Sequence, residues 1–349
     1  MRIAVVSDAW SPQVNGVVRT LATVIDIART RGHRVLTVTP DRFRSVPMPN
    51  YPEIRLALAS PRAVGTLIRD FAPDAVHIAT EGPLGWLARR WCIAREVAFT
   101  TSFHTRFPDY IAARTGLPAA LLWRPLARFH RPARHILVAT PRLAAELADH
   151  GLPQTLPWTR GVDMALFKPD REAHPAFAGL PRPLALHVGR VAVEKNIEAF
   201  LAADWTGSKV VVGDGPALDS LQARFPAAHF LGSLHGEALA STYAGADVLV
   251  FPSRTDTFGL VIIEALACGT PVAGFPVPGP LDILGADGLG TEGMRARVGG
   301  VDSNLAAAMR SALTARREDC AAYGARFSWE RSCAQFLAAL APADFAAVA

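Results

Sequence analysis

The feature that most constrains this chain is an alternation, run through twice, of short apolar stretches with amphipathic ones. Apolar runs at residues 2–7 (RIAVVS), 35–39, 54–58, 75–78, 98–101 and 135–139 are each too short for a helix. Between the first two, residues 15–30 place Val18, Leu21, Val24, Ile25 and Ala28 close to a 3.6-residue period, and Gly32 ends that helix. A further helix follows Glu81-Gly82-Pro83, where proline suits a first turn. Strands that are apolar on both faces and alternate with helices predict a parallel sheet covered on both sides, an α/β doubly wound domain. The pattern breaks at residues 168–183, where Pro169, Pro175, Pro181 and Pro183 predict a linker. A second alternation then begins, with strands at 184–188, 209–212, 229–231, 248–251 and 272–274. At 349 residues, two such domains are expected, over 1–167 and 184–325, with residues 326–349 carrying a last helix that returns to the first domain.

Composition narrows the class further. Half of the residues are hydrophobic and 19% are charged, which supports a sizeable core and argues against disorder. No run of 18 apolar residues occurs, so no spanning helix is expected. The opening MRIAVVSDAW is interrupted by Asp8 and does not read as a signal peptide, so a cytoplasmic location is expected. Cys92, Cys268, Cys320 and Cys333 are scattered without metal-ligand spacing, which fits a reducing compartment and no zinc. The net charge of +5 is unevenly spread. Residues 110–145 hold no Asp or Glu, but they carry Arg114, Arg124, Arg128, Arg131, Arg134 and Arg142 among apolar and aromatic residues. Such a patch suits an anionic membrane surface or a polyphosphate, or else is a solvated arginine face.

Ligands of open parallel sheets sit at the carboxyl ends of the strands, so the loops there carry the functional reading. The loop at 8–16, DAWSPQVNG, ends with Gly16, a bare backbone at a helix start that a phosphate can approach; a tight turn with an asparagine cap explains it equally. In TSFHTRFPDY (101–110), His104 follows a strand and could position a hydroxyl, support developing charge or exchange a proton, or be structural. HVGRVAVEKN (187–196) sets Gly189, Arg190 and Lys195 after a strand and at a helix start, a suitable diphosphate clamp, unless they are surface cations of which one pairs with Glu194. VVGDGP (211–216) is an incomplete dinucleotide fingerprint. FPSRTDTFGLVIIEALACGTP (251–271) sets Asp256 and Glu264 eight residues apart on either side of a helix start expected near Phe258.

In this order SPQVNGVVRTL, TEGPLG, FHTRFPDY, TRGVDMALFKP, VGRVAVEKN, VVGDGP and FPSRTDTFGLVIIEALACGTPV resemble a family 4 glycosyltransferase, closest to the bacterial mannosyltransferase and glycolipid synthase branch. The likeness spans about residues 2–336. It implies the GT-B fold, two Rossmann-like domains facing across a cleft, and a retaining transfer from a nucleotide diphosphate sugar. It also implies that Glu264 holds the ribose hydroxyls, that Arg190 and Lys195 hold the diphosphate, that Gly16 approaches the distal phosphate and that His104 lies near the donor sugar. Asp256 takes the place of the family's usual first glutamate, one methylene shorter, and Thr257, Phe258 and Gly259 offer backbone N–H groups to sugar or phosphate. The chain contains no Asp-x-Asp, which fits a metal-independent enzyme without a cofactor.

The acceptor is expected on the first domain. There LLWRPLARFHR interleaves Trp123 and its apolar neighbours with Arg124, Arg128 and Arg131, predicting a lipid or lipid-linked acceptor reached from an anionic membrane surface; Leu122, Leu126 and Phe129 would equally suit a core stripe. GDP-mannose is the first-choice donor, with UDP-hexoses or UDP-glucuronate next. A nucleotide-sugar epimerase of similar fold and a noncatalytic nucleotide-sugar-binding protein are the rival readings. Nothing suggests nucleic acid.

Overall fold

The computed structural model describes residues 1–13, 15–48, 51–104, 118–256, 258–291 and 293–343. It divides into two units, Met1–Arg160 with Trp329–Ala349, and Gly161–Ser328.

The first unit is built on a six-stranded parallel sheet ordered β2-β1-β5-β6-β7-β8. Its strands are β1 (Arg2–Val6), β2 (Arg34–Val38), β5 (Ala75–Ile78), β6 (Thr100–Phe103), β7 (Ile136–Val138) and β8 (Thr155–Pro157). Ile3, Ala4, Val5 and Val6 of β1 are almost wholly buried, as a strand covered on both faces requires. The helices are α1 (Gly16–Thr30), α2 (Pro61–Phe71), α3 (Pro83–Ala94), α4 (Ala119–His130) and α5 (Pro141–Asp149). Their starts follow local chemistry. Asn15 Oδ1 accepts from the N–H groups of Val17 and Val18, Ser60 caps α2 and Thr140 caps α5, while Pro61, Pro83 and Pro141 occupy first turns. The C-terminal helix Trp329–Ala339 packs along α1, with Gln335 Oε1 accepting from the backbone and hydroxyl of Thr159 at 2.8 Å.

One expected sheet strand lies elsewhere. Residues 54–57 fall in β4 (Tyr51–Ala57), which pairs antiparallel with β3 (Ser45–Met48) as a separate hairpin, and Leu58 lies just beyond it.

The second unit repeats the plan with all strands parallel in the order β11-β10-β9-β12-β13-β14. They are β9 (Ala185–Val188), β10 (Lys209–Val212), β11 (His229–Phe230), β12 (Val248–Phe251), β13 (Val272–Gly274) and β14 (Gly299–Val301). Among the described residues seven α-helices follow in chain order: α6 (Ile197–Ala202), α7 (Leu218–Arg224), α8 (Gly236–Gly245), α9 (Leu260–Ala267), α10 (Pro278–Leu284), α11 (Leu305–Ala312) and α12 (Arg317–Gly324). Val248, Leu249 and Val250 of the central β12 are fully buried.

The stretch expected to be a linker, 168–183, belongs to this second unit, as do residues 161–167. Its prolines offer carbonyls rather than donors, and neighbouring groups take them up. Ser208 donates its N–H and hydroxyl to Pro181 O, and Trp205 Nε1 donates to Pro183 O at 2.9 Å. Phe177 is buried near Gly245, so the segment is part of the packing rather than a tether.

Each sheet has a point where the strand order reverses, between β1 and β5 in the first unit and between β9 and β12 in the second. The crevice outside the carboxyl ends at such a point is where this architecture takes ligands.

Candidate active site

In the second unit the reversal point is flanked by the loop after β9, which carries Gly189, Arg190 and Lys195, and the loop after β12, which carries Asp256. The two loops are tied together. Lys195 Nζ donates to both oxygens of Asp256, at 2.7 and 2.8 Å, and Asn196 Nδ2 donates to Pro252 O at 3.0 Å. One helical turn away, Arg190 pairs with Glu194. Each cation of the expected diphosphate clamp is therefore already held by a carboxylate.

Beneath them the loops after β9 and β10 lie in backbone contact. Val191 N–H donates to Asp214 O at 2.8 Å and Ala217 N–H to Val191 O at 3.0 Å. Gly213 permits this closeness: it sits at φ +143°, and a Cβ there would lie 1.8 Å from Gly189 O.

The helix expected to start near Phe258 starts at Leu260, with Gly259 preceding it at φ +93°. A Cβ on Gly259 would fall 2.9 Å from the Phe251 ring, so the strand-to-helix turn needs glycine twice over. Phe258 is buried against Phe327, with ring centroids 6.3 Å apart. Glu264, inside the helix, is 2% exposed and its Oε2 accepts from Tyr243 Oη at 2.8 Å. A buried carboxylate reached by a phenol from the adjacent α8 is a fixed acceptor for hydroxyls.

In the first unit the reversal point is stitched by Asp8. Its carboxylate accepts from the N–H groups of Leu84 and Gly85 at 2.8 and 3.2 Å, opening α3, and from Thr80 Oγ1 at 3.0 Å. Burial raises its pKa above the ordinary carboxylate value, with those hydrogen bonds opposing the rise. Next along the sheet edge, His104 follows β6 and is buried; its Nε2 meets Ser102 Oγ at 2.8 Å and its Nδ1 meets Arg160 Nη2 at 3.1 Å. His130, at the end of α4, pairs with Glu81 at 3.1 Å and with Thr101 Oγ1 at 2.9 Å. Gly16 is exposed at the start of α1, where Asn15 occupies two of the first N–H groups.

Comparison with known proteins gives this geometry its context. Residues 14–166 match the model of "Glycosyltransferase Family 4", and residues 182–315 that of "Glycosyl transferases group 1". A GDP-mannose-dependent alpha-mannosyltransferase of Mycolicibacterium smegmatis is 34% identical over 344 residues, covering 91% of this chain and 90% of that protein. The chain belongs to the family 4 glycosyltransferases. A GDP-mannose-dependent alpha-(1-6)-phosphatidylinositol dimannoside mannosyltransferase of Mycobacterium tuberculosis is 27% identical, covering 97% of this glycosyltransferase and 96% of that one. Among solved structures, sucrose-phosphate synthase from Thermosynechococcus elongatus aligns with a TM-score of 0.74 at 20% identity, over 97% of both chains. The fold is GT-B, with two Rossmann-like units.

The second unit of the glycosyltransferase brings Gly189, Arg190, Lys195 and Asp256 to one reversal point, with Phe258, Gly259 and Glu264 on the strand-to-helix turn that follows β12. The first unit holds Gly16 and His104. Thr257 lies outside the described residues, as do Arg114 and the rest of 105–117.

The membrane-facing expectation needs a correction at Trp123. Its ring is buried, stacked on His150 at 3.8 Å and parallel to Phe103 at 5.8 Å, and Leu126 and Phe129 are buried as well. The apolar side of α4 is thus a core stripe. Arg124, Arg128 and Arg131 are exposed, and Leu121 is the large apolar residue left outside, at 52%. Sequence reasoning missed Tyr243, Ser102 and Arg160. Ser102 lies inside TSFHTRFPDY and Arg160 inside TRGVDMALFKP, and nothing in either stretch says that the hydroxyl meets His104 or that the guanidinium is buried.

Proposed function

We propose that this glycosyltransferase moves mannose from GDP-mannose, with retention of anomeric configuration and without a metal, to a hydroxyl of a lipid or lipid-linked acceptor. The observation that carries the donor is the 34% identity, over nearly the whole chain, to an enzyme named for GDP-mannose dependence. The acceptor class rests on the phosphatidylinositol dimannoside mannosyltransferase, which aligns over 97% of the chain. UDP-hexoses and UDP-glucuronate are the competing donors.

In this reading the donor diphosphate lies on Arg190 and Lys195, and Glu264 accepts the ribose hydroxyls. Departure of the diphosphate leaves oxocarbenium-like charge on the sugar and gathers negative charge on the leaving oxygen, which the two cations stabilise from fixed positions. The acceptor hydroxyl attacks the anomeric carbon on the face the diphosphate leaves, the carbon–oxygen bond to phosphate breaks, and the hydroxyl proton passes to the departing phosphate. Asp256 is released from Lys195 as the phosphate arrives and is then available to the sugar hydroxyls.

The exposed Arg124, Arg128 and Arg131 on α4 suit anionic headgroups on the inner face of the cytoplasmic membrane by charge alone, without an apolar wedge from Trp123. No helix among the described residues is long and apolar enough to cross a membrane.

The donor is tested by a transfer assay with GDP-mannose, UDP-glucose, UDP-galactose and UDP-glucuronate, with and without EDTA, supplying phosphatidylinositol or diacylglycerol vesicles as acceptor. Transfer of mannose alone, unaffected by EDTA, is the expected outcome; preference for a UDP sugar refutes the donor, and loss of activity with EDTA refutes metal independence. Release of nucleotide without any acceptor would favour an epimerase instead. Co-sedimentation of the protein with anionic vesicles at low salt tests the surface.

A further inference from the structure

Arg160 is 5% exposed, closes the first unit, and is the least expected charge in it. Among the described residues no carboxylate pairs with it. Its Nη1 donates to Trp158 O at 2.6 Å, its guanidinium lies 4.8 Å over the Trp158 ring, and its Nη2 lies 3.1 Å from His104 Nδ1. Burial lowers its pKa only to about 10, so it is charged near neutrality. A buried guanidinium with no counter-ion among the described residues is a costly way to close a loop, and an apolar residue would close it more cheaply. Its presence is explained by what it does to its neighbour.

A guanidinium nitrogen has only protons to give, so His104 Nδ1 must be the acceptor. The imidazole proton then resides on Nε2 and is donated to Ser102 Oγ at 2.8 Å. Ser102 is itself fixed on β6, in contact with Ala79 O and His77 Nε2, each at 3.2 Å. The Trp158 ring meets His104 edge-on at a centroid distance of 5.4 Å. Both ring nitrogens and one edge of the imidazole are thereby set by residues of β5, β6 and the segment after β8.

We propose that Arg160 is a positioning residue for His104: it imposes the neutral Nε2–H tautomer and one ring orientation, so that His104 serves sugar transfer as a fixed neutral group and exchanges no proton. This rests on the reading that the chain transfers a sugar at the edge where His104 stands. Burial, and after it Arg160, His77 on β5 and His130 on α4, hold His104 well below its ordinary pKa.

The test is nitrogen NMR of the full-length protein labelled with ¹⁵N-histidine, which needs no donor and therefore stands or falls apart from the donor assignment. Wild type is expected to show His104, assigned by loss of its signals in His104→Gln, as a single neutral Nε2–H tautomer from about pH 6 to 8. A protonated Nδ1, or a mixture of tautomers, overturns the proposal. In Arg160→Met the tautomer should become mixed or titrate closer to the ordinary value, and kcat should fall by about tenfold or more with the donor KM within about twofold. Arg160→Lys, which keeps the charge and can keep one donor, should recover part of both signals. If Arg160→Met instead raises the donor or acceptor KM and leaves the His104 signals as they were, Arg160 is a direct ligand and the proposal fails. If Arg160→Met does not fold, the wild-type and Arg160→Lys spectra decide alone.

Discussion

The pairing of Lys195 with Asp256 makes opposite predictions for two substitutions in the same contact. Lys195 Nζ holds both carboxylate oxygens at 2.7 and 2.8 Å, with the two side chains 27% and 26% exposed, so solvent screens the pair in part. Such a contact is worth on the order of 1 kcal/mol. A diphosphate arriving at Lys195 must displace Asp256 and forfeits that amount. Asp256→Asn keeps the shape and removes the competing charge, so a nucleoside diphosphate without its sugar should bind up to about fivefold more tightly. Lys195→Met removes a charge-assisted hydrogen bond to phosphate, about 1.5–3 kcal/mol, and should weaken the same ligand by about 10- to 150-fold. Calorimetric titration of GDP and UDP at one fixed ionic strength reads both constants directly. In the proposed mechanism transfer falls in both variants, because Lys195 meets the departing diphosphate and Asp256 the sugar hydroxyls. If Asp256→Asn weakens the free nucleotide as much as Lys195→Met does, the carboxylate is a support of the clamp and not its competitor, and the displacement argument is wrong.

Tyr243→Phe removes a buried donor from Glu264 and should cost about 1.5–3 kcal/mol in the urea-unfolding free energy of the second unit, with weaker ribonucleotide binding; an unchanged midpoint would show that the contact contributes nothing. Gly213→Ala pushes a methyl to 1.8 Å from Gly189 O and should destabilise that unit by at least about 2 kcal/mol, lowering its melting temperature and abolishing nucleotide binding. Burial pushes His77 down to about 3 and His187 down to about 4, so near pH 5 the unfolded chain binds more protons than the folded one and stability rises with pH. Their contribution is fully present above the ordinary value of 6.5 and is lost as pH falls toward 4 and 3; because the two histidines lie in different units, both unfolding transitions should move to lower urea between about pH 7 and 5.

How far the fold was legible follows from how each element is encoded. Strands such as Val248–Phe251 declare themselves because both faces are buried and every residue is apolar. Residues 54–58 are also apolar apart from Arg55, yet 54–57 form a hairpin, since a short apolar run does not say which partner it takes. β14, Gly-Gly-Val, escapes reading altogether: its glycines are there because a Cβ would meet Val272 O at 2.3 Å and Ala308 O at 2.2 Å, which is knowledge of neighbours and not of pattern. Arg190 and Lys195 stand out by their spacing after a strand, and the partner of Arg190, Glu194, is local and readable in the same stretch, whereas the partner of Lys195 is tertiary: Asp256 lies 61 residues away. Trp123 was misplaced for a related reason, because an amphipathic helix shows an apolar face without showing what covers it.

The two reversal points solve the same problem in opposite ways. In the second unit the charges that would meet the diphosphate are partly exposed and pre-paired with carboxylates of their own chain, so they remain displaceable, and binding exchanges one set of ion pairs for another. In the first unit the polar groups around His104 are deeply buried and bonded to one another through Ser102, Arg160 and Trp158 O, so that little there can be exchanged at modest cost. A transferase needs both properties. The leaving group must be bound and then released in every turnover, which favours interactions near balance, while a group that shapes the reacting sugar gains from not moving at all. Substitutions at Arg190 and Lys195 should therefore register in nucleotide affinity as well as in turnover, and substitutions at Asp256, Ser102, His104 and Arg160 mainly in turnover.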